Sequence, residues 1–178
     1  MTCKKRHRRR HRAGFCAAAA LAAAPAAAHA DLPASVVEAM DLALADERQA
    51  HRTYSDILEA FGEVRPFSNI VHAEARHIEA LLPLYSAYRV PVPADDSSHD
   101  LDVAVLSLKA LCEKGVAAEI ENVRLYDEEL LPAVSDYPDI AAVFTNLRNA
   151  SADRHLPAFQ RCVDRGGQPG RGYRGGRS

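Results

Sequence analysis

The sequence predicts an all-α protein folded as a bundle of four helices. Four segments repeat apolar residues at steps of three and four, which is the spacing of one helix face. No segment alternates polar and apolar residues with period two, so no sheet is expected. Turn residues separate the segments. One connection, residues 89–102, reaches roughly 46 Å, enough to cross the bundle between the second and third helices.

The first thirty residues are typical of a secretory signal peptide. Residues 4–12 hold seven Lys and Arg, residues 13–27 are rich in Ala, and Ala28-His29-Ala30 is a cleavage site of the A-x-A type. The apolar stretch is short for a membrane span, so no stable membrane anchor is expected. The protein is therefore predicted to be exported, periplasmic or secreted, by a Sec or a Tat route. The alternative is a basic arm that binds nucleic acid.

Residues 31–163 are predicted to form the single folded domain. They carry eleven Lys and Arg against twenty-three Asp and Glu, a net charge of −12 with neutral histidines. Such a charge disfavours contact with phosphate backbones, so no nucleic-acid partner is expected. Residues 164–178 are rich in Gly and Arg and have little to bury, which predicts a disordered tail. The sequence leaves the oligomeric state open, with a homodimer among the alternatives.

The first two helices carry inward stripes that are apolar except at a few acids and histidines. The first helix is predicted from Ser35 to Phe61, and Gly62 to Pro66 make the turn to the second. The stripe of the first helix consists of Val37, Met40, Leu44, Glu47, His51, Tyr54, Leu58 and Phe61. That of the second consists of Phe67, Ile70, Glu74, His77, Leu81, Leu84 and Tyr88.

The third helix is predicted from about residue 102 to 131, and Ser135-Asp136-Tyr137-Pro138 separate it from the fourth. The stripe of the third consists of Cys112, Val116, Glu119, Val123, Tyr126 and Leu130. That of the fourth consists of Phe144, Arg148, Ala152, His155, Phe159 and Cys162. Pro157 has no N–H for the carbonyl of Asp153, so it should bend the fourth helix just past His155.

Five polar residues of these stripes are expected to meet inside the bundle. Glu119 lies 17 residues before Asp136 and His155 lies 19 after it, so an antiparallel hairpin brings both to nearly one level. Burying such groups without partners costs several kcal/mol for each charge. Divalent metals offset that cost, and carboxylates with imidazoles suit iron, manganese or zinc. The predicted ligands are Glu47, Glu74, His77, Glu119 and His155.

This pattern is similar to that of the ferritin-like superfamily, whose bundles bind two metals through one Glu from each of two helices and Glu-x-x-His from the others. Within it the chain resembles an uncharacterised family, the domain of unknown function 2202. The resemblance covers about residues 38–163 and is strongest on the second helix. It rests on FSNI (67–70), EARH (74–77), YRVP (88–91), Glu47 with Tyr54, Gly115 with Glu119, and RHLPAF (154–159).

The resemblance implies a ferritin-like four-helix bundle that holds two divalent metal ions, iron or manganese. It implies no reaction. The chain departs from the full ligand set at one position, because Ala152 stands three residues before His155 where a Glu is expected. Three carboxylates and two histidines remain, a set similar to that of manganese catalases.

Several assignments stay open at this stage. Glu121 competes with Glu119 for the ligand on the third helix, and Asp153 lies one step off the inward face of the fourth. His51, one turn from Glu47, is either a donor behind a ligand or a partly exposed histidine. Tyr54 and Tyr126 each follow a stripe acid by seven residues, near enough to take part in electron transfer, but they are interpreted as core residues.

Cys112 and Cys162 are candidates for a disulfide. Cys112 lies seven residues before Glu119 and Cys162 seven after His155, on antiparallel neighbours, so both are expected at one end of the bundle. An exported protein permits the bond. The alternative is a buried pair of free thiols.

The sequence thus predicts an exported, dinuclear metal-binding bundle that uses O₂ or peroxide as a partner, either ferroxidase-like or catalase-like. The alternative is a non-catalytic module, either a periplasmic metal binder or a metal-free helical interaction protein.

Overall fold

The structure, a computed structural model, describes residues 32–99 and 101–168. The predicted signal peptide, residues 1–30, lies outside these ranges, as does most of the predicted tail, residues 169–178. The described residues contain helices and no strands, so the predicted all-α fold with four bundle helices is confirmed.

Two long helices form the first hairpin. Helix α1 spans Ala34–Phe61 and α2 spans Phe67–Tyr88. Gly62 closes α1 with a φ of +73°, a left-handed conformation that a side chain would strain. Its N–H donates to the carbonyl of Leu58 at 2.8 Å, which satisfies one of the free carbonyls at the helix end.

The third and fourth bundle helices are each interrupted by a π-helical turn and form the second hairpin. The third bundle helix consists of α3 (Leu108–Leu125), the first π turn (Tyr126–Leu130) and α4 (Leu131–Ala133). The fourth consists of α5 (Pro138–Ala150), the second π turn (Ser151–His155) and α6 (Leu156–Asp164).

Two apolar clusters form the core, one toward each end of the bundle. The first cluster joins the start of α1, the end of α2, the end of the third bundle helix and the start of the fourth. Its largest members are Met40, Leu44, Leu81, Tyr85, Tyr126, Leu130, Ile140 and Phe144. The second cluster joins the opposite halves and contains Tyr54, Ile57, Phe67, Ile70, Leu111, Cys112, Phe159 and Cys162. The second and third bundle helices therefore run in the same direction.

A long connection, residues 89–107, returns the chain to the far end of the bundle along the outside of α1. Arg48 Nη1 donates to the carbonyl of Pro93 at 3.0 Å, and Gln49 Nε2 donates to that of Ser98 at 3.0 Å. A short 3-10 turn, Val103–Val105, lies near its end.

The predicted start of the third helix at residue 102 is wrong. Helix α3 begins at Leu108, because Ser107 Oγ accepts from the N–H of Ala110 at 3.2 Å and caps the helix there. The connection is correspondingly longer than expected. No helix of the described residues is long and apolar enough to cross a membrane.

Residues 165–168, assigned to the tail by the sequence, close the fourth bundle helix with a turn. Gly167 is buried there with a φ of +75°, and its N–H donates to the carbonyl of Cys162 at 2.9 Å. A side chain at this position would collide with the backbone of Lys109 at the start of α3.

Candidate metal centre

Five polar side chains lie between the two apolar clusters, where every bundle helix contributes at least one. Helix α1 supplies Glu47, α2 supplies Glu74 and His77, α3 supplies Glu119, and the second π turn supplies His155. Glu47, Glu74, Glu119 and His155 are at most 4% exposed. The structure thus brings all five predicted ligands into one buried group.

The five side chains form two triads that share Glu74. In the first triad, His77 Nδ1 lies 3.0 Å from Glu47 Oε2 and 2.8 Å from Glu74 Oε2. In the second triad, His155 Nδ1 lies 3.3 Å from Glu74 Oε1 and 3.6 Å from Glu119 Oε2. Glu74 therefore points one oxygen at each histidine. The two imidazole rings stack with centroids 5.5 Å apart.

The donor set and its spacing fit a divalent metal in each triad. The three ligand atoms of each triad lie within 4.8 Å of one another. Ligands bonded at about 2.1 Å to one ion are themselves about 3.0 to 3.4 Å apart, close to the separations in both triads. His155 Nδ1 is buried without a hydrogen bond of good geometry. A buried nitrogen left without such a bond is costly, and a metal ion would satisfy it.

Without metal, protons balance the charges of this group. Burial raises the pKa of Glu47 to about 8. Burial lowers the pKa of each histidine, but interactions with the carboxylates outweigh it and raise the pKa of His77 to about 9 and that of His155 to about 10. Burial likewise raises the pKa of Glu74, but its close contacts with the imidazoles of His155 and His77 outweigh it and lower the pKa to about 2. A metal ion bound in either triad would therefore displace a proton from the imidazole of that triad.

Two tyrosines, interpreted from the sequence as core residues, hydrogen-bond the outer carboxylates. Tyr54 OH donates to Glu119 Oε1 at 3.0 Å, and Tyr126 OH donates to Glu47 Oε1 at 3.3 Å. Burial raises the pKa of both hydroxyls well above the ordinary value, so both remain donors at neutral pH. The signal in the sequence was their spacing, seven residues after Glu47 and Glu119.

A cavity of about 150 Å³ reaches this group between α1 and α3. Its wall includes the carboxylates of Glu47, Glu74 and Glu119, together with Asp46 and Asn122. Asn122 Nδ2 donates to Asp46 Oδ2, which ties the two helices together at the cavity. Burial raises the pKa of Asp46 to about 6. The cavity accommodates a few waters or a molecule of similar size.

The three alternative ligands lie elsewhere. Glu121 is exposed and pairs with Arg124, because it lies on the opposite side of α3 from Glu119. Asp153 is exposed although it belongs to the second π turn. His51 is partly buried and belongs to neither triad.

The predicted inward stripe of the fourth helix is wrong at Arg148 and Ala152, while Phe144 and His155 are buried as predicted. Leu147 and Ser151 are buried there, at 2% and 5% exposure, in place of Arg148 and Ala152. Arg148 instead pairs at the surface with Asp127, with Nη2 and Oδ2 2.7 Å apart. Ser151 lies seven residues, about two helical turns, after Phe144 and so shares its inward face, whereas two successive steps of four from Phe144 lead to Ala152 at the edge of that face. Ser151, not Ala152, therefore lines the cavity beside Glu74.

A disulfide joins α3 to α6 below the second triad. Cys112 and Cys162 are fully buried and their Cα atoms are 6.0 Å apart. Both belong to the second cluster, at the end of the bundle that the sequence predicted.

Comparison with known proteins identifies the family to which this chain belongs but does not identify an activity. An uncharacterized protein of Methanocaldococcus jannaschii, MJ0754, is 28% identical over 135 residues, which cover 67% of this chain and 70% of that protein. No solved structure matches the chain. The sequence model of the uncharacterized protein domain DUF2202 matches residues 37–174, a range that contains both triads. The chain therefore belongs to the DUF2202 family.

Proposed function

We propose that this protein binds two iron or manganese ions and acts on O₂ or peroxide. The observation that carries the proposal is the pair of buried triads joined through Glu74. Within each triad, the three ligand atoms lie within 4.8 Å of one another. Carboxylate oxygens and imidazole nitrogens together suit iron and manganese.

Each residue has a distinct place in this arrangement. Glu47 and His77 would hold one ion, Glu119 and His155 the other, and Glu74 would contact both through its two oxygens. Three carboxylates in one buried group are costly unless cations or protons compensate them. The high pKa values of His77 and His155 reflect that need in the metal-free state.

The surroundings favour a small substrate. The cavity of about 150 Å³ leads to the carboxylates, and this volume suits a small molecule. The two apolar clusters cover the group from both ends and limit the entry of water. Iron or manganese ions bound there would supply redox chemistry, either by giving electrons to O₂ as Fe(II) is oxidised or by alternately giving electrons to one peroxide and taking them from another. The chain itself supplies the polar cavity wall, to which Asp46, Gln49 and Ser151 contribute.

The proposal is tested by metal content and by turnover. Protein purified without chelator should contain about two metal ions per chain, and the loaded protein should consume hydrogen peroxide or oxidise Fe(II) with O₂. His155→Ala should remove one ion and the activity together, because the second triad loses its only nitrogen ligand. His72→Ala changes an exposed histidine on the same helix as Glu74 and is the matched control. It should keep both metal ions and the activity.

Other outcomes separate the alternatives. A protein with two ions that consumes neither peroxide nor Fe(II) is a non-catalytic metal binder. A protein that stays near zero metal after incubation with Fe(II) and Mn(II) is a metal-free helical module.

A further inference from the structure

Each tyrosine beside the site contacts the carboxylate of the other hairpin. Tyr54 lies on α1 with Glu47 but donates to Glu119 on α3. Tyr126 continues the same bundle helix as Glu119 but donates to Glu47 on α1. The two hydrogen bonds therefore cross between the hairpins.

Both bonds use the carboxylate oxygen that does not face a histidine. Glu47 accepts from Tyr126 through Oε1, while its Oε2 lies 3.0 Å from His77 Nδ1. Glu119 accepts from Tyr54 through Oε1, while its Oε2 lies 3.6 Å from His155 Nδ1. Each hydroxyl thus leaves one oxygen of its glutamate free and turned toward the triad.

The tyrosine rings are fixed by packing at opposite ends of the bundle. Tyr54 belongs to the second cluster and packs against both Phe67 and Phe159, with ring centroids 5.6 Å away in both cases. Tyr126 belongs to the first cluster, is fully buried, and meets Phe144 edge to face at 5.6 Å. A hydroxyl on such a ring holds its acceptor in one orientation.

We infer that Tyr54 and Tyr126 are positioning residues that act crosswise. Tyr54 orients Glu119 for the ion at the second triad, and Tyr126 orients Glu47 for the ion at the first. The inference rests on the proposed dinuclear site and adds which residue controls each half of it. It also means that each ion depends on a packed ring from the opposite hairpin.

Single-site chains separate the two halves. His155→Ala keeps the first triad intact, and His77→Ala keeps Glu74, Glu119 and His155. Each is combined with Tyr54→Phe or Tyr126→Phe and titrated with Co²⁺, whose visible absorption reports the ligand geometry. In the His155→Ala chain, Tyr126→Phe should weaken Co²⁺ binding about 10- to 100-fold and change the spectrum, while Tyr54→Phe leaves both unchanged. The His77→Ala chain should show the reverse.

Tyr85→Phe is the matched control. Tyr85 is fully buried and donates to Asp41 Oδ1 at 2.9 Å, and neither residue belongs to a triad. Its loss removes a buried hydroxyl without touching the ligands, so Co²⁺ affinity and spectrum should stay those of the parent chain. The same tyrosine substitutions in the otherwise unchanged protein, where each should weaken one of two binding steps, serve if a combined variant does not fold.

Two results overturn the inference in different ways. If Tyr54→Phe weakens the first triad, or both triads equally, the crosswise assignment is wrong while the metal site stands. If the unchanged protein binds no Co²⁺, the dinuclear site itself fails and the inference with it.

Discussion

Glu119 and Glu121 are two positions apart on α3, yet one is a buried candidate ligand and the other a surface charge. Glu119 is 4% exposed and accepts from Tyr54. Glu121, two positions on, is solvent-exposed and pairs with Arg124, which also binds Glu128 with Nη1 and Oε2 2.7 Å apart. Such exposed pairs contribute little to stability, because water and salt screen them.

Replacement of these two residues tests the face of α3 directly. Glu119→Gln should lower the metal content well below that of the unchanged protein, because the second triad loses its terminal carboxylate. Glu121→Gln should leave it unchanged. Metal analysis of both proteins after identical loading is the measurement, and the reverse pattern would show that the wrong face of α3 is assigned to the site.

The pKa values at the site predict how the stability of the metal-free protein varies with pH. The pKa of Glu47 is raised from 4.5 to about 8, so its contribution to stability falls as pH rises across that window. The raised values of His77 and His155 add stability below about 6.5 that is lost as pH rises through about 9 and 10. The lowered value of Glu74 adds stability above about 4.5 that is lost toward pH 2.

Together these shifts place the greatest stability of the metal-free protein at about pH 5, with a steady loss toward pH 10. Thermal unfolding of chelator-treated protein across this range is the measurement. Metal-loaded protein should show the opposite trend between pH 5 and 8, because protons compete with the ions for the same ligands. A melting temperature of the metal-free protein that rises toward alkaline pH contradicts the prediction.

At the scale of the elements, the contact between α3 and α6 depends on close packing and on the disulfide. Phe159 packs against Gly115 so closely that a Cβ there would lie 2.6 Å from the ring. Cys112 and Cys162 join the same two helices and are 50 positions apart in sequence. A crosslink over that span stabilises by roughly 4 kcal/mol in the chain-entropy model.

The disulfide predicts that the chain from residue 31 onward has no reactive thiol. Titration of the protein unfolded in denaturant should find no free thiols without reductant and two after reduction. Reduction should also lower the melting temperature, because the unfolded chain regains the entropy that the crosslink removed. Two reactive thiols in the unreduced sample would establish a pair of free cysteines instead.

The first hairpin was predictable from the sequence in more detail than the second. In α1 and α2 the regular steps of three and four place Glu47, Glu74 and His77 correctly, because nothing interrupts their hydrogen bonding near the site. In the fourth bundle helix the predicted steps of four after Phe144 lead to Arg148 and Ala152, whereas a step of three and then one of four reaches the buried Leu147 and Ser151. The second π turn is not predicted by the sequence pattern; Pro157, two residues beyond that turn, predicts only a bend.

The start of the third helix differs from the predicted start, residue 102, for another reason. Residues 102–107 are compatible with a helical pattern by composition, but Val103–Val105 form a separate 3-10 turn, and Ser107 Oγ caps α3 by accepting from the N–H of Ala110. A cap of this kind decides between neighbouring start points that differ little in propensity.

At the scale of the whole molecule, the fold is two antiparallel hairpins joined by residues 89–107. Each hairpin supplies a terminal glutamate, and each supplies the tyrosine that contacts the glutamate of the other. The two hairpins are not fully equivalent, because the second has no glutamate that corresponds to Glu74. Ser151 of the second hairpin lines the same cavity as Glu74. The fold therefore places two similar but unequal halves around one buried group.

The N-terminal segment predicts that the working protein begins at Asp31. In a host with a compatible export pathway, the protein should be recovered outside the cytoplasm, and N-terminal sequencing should start at Asp31. Ala30→Pro, next to the cleaved bond, should retain the leader and increase the mass accordingly. Full-length protein recovered from the cytoplasm of such a host would favour the basic-arm interpretation.

The unequal division of ligands between the hairpins also sets the order in which the two ligand sets form during synthesis and folding. Glu47, Glu74 and His77 all belong to the first hairpin, whereas Glu119 and His155 in the second hairpin depend on Glu74 from the first. The first hairpin is made of contacts close in sequence, and such structure forms fastest. In the proposed dinuclear protein, a nascent chain that has emerged only as far as residue 88 already carries one full set of ligands. The second set exists only after the rest of the chain has been synthesised and has docked.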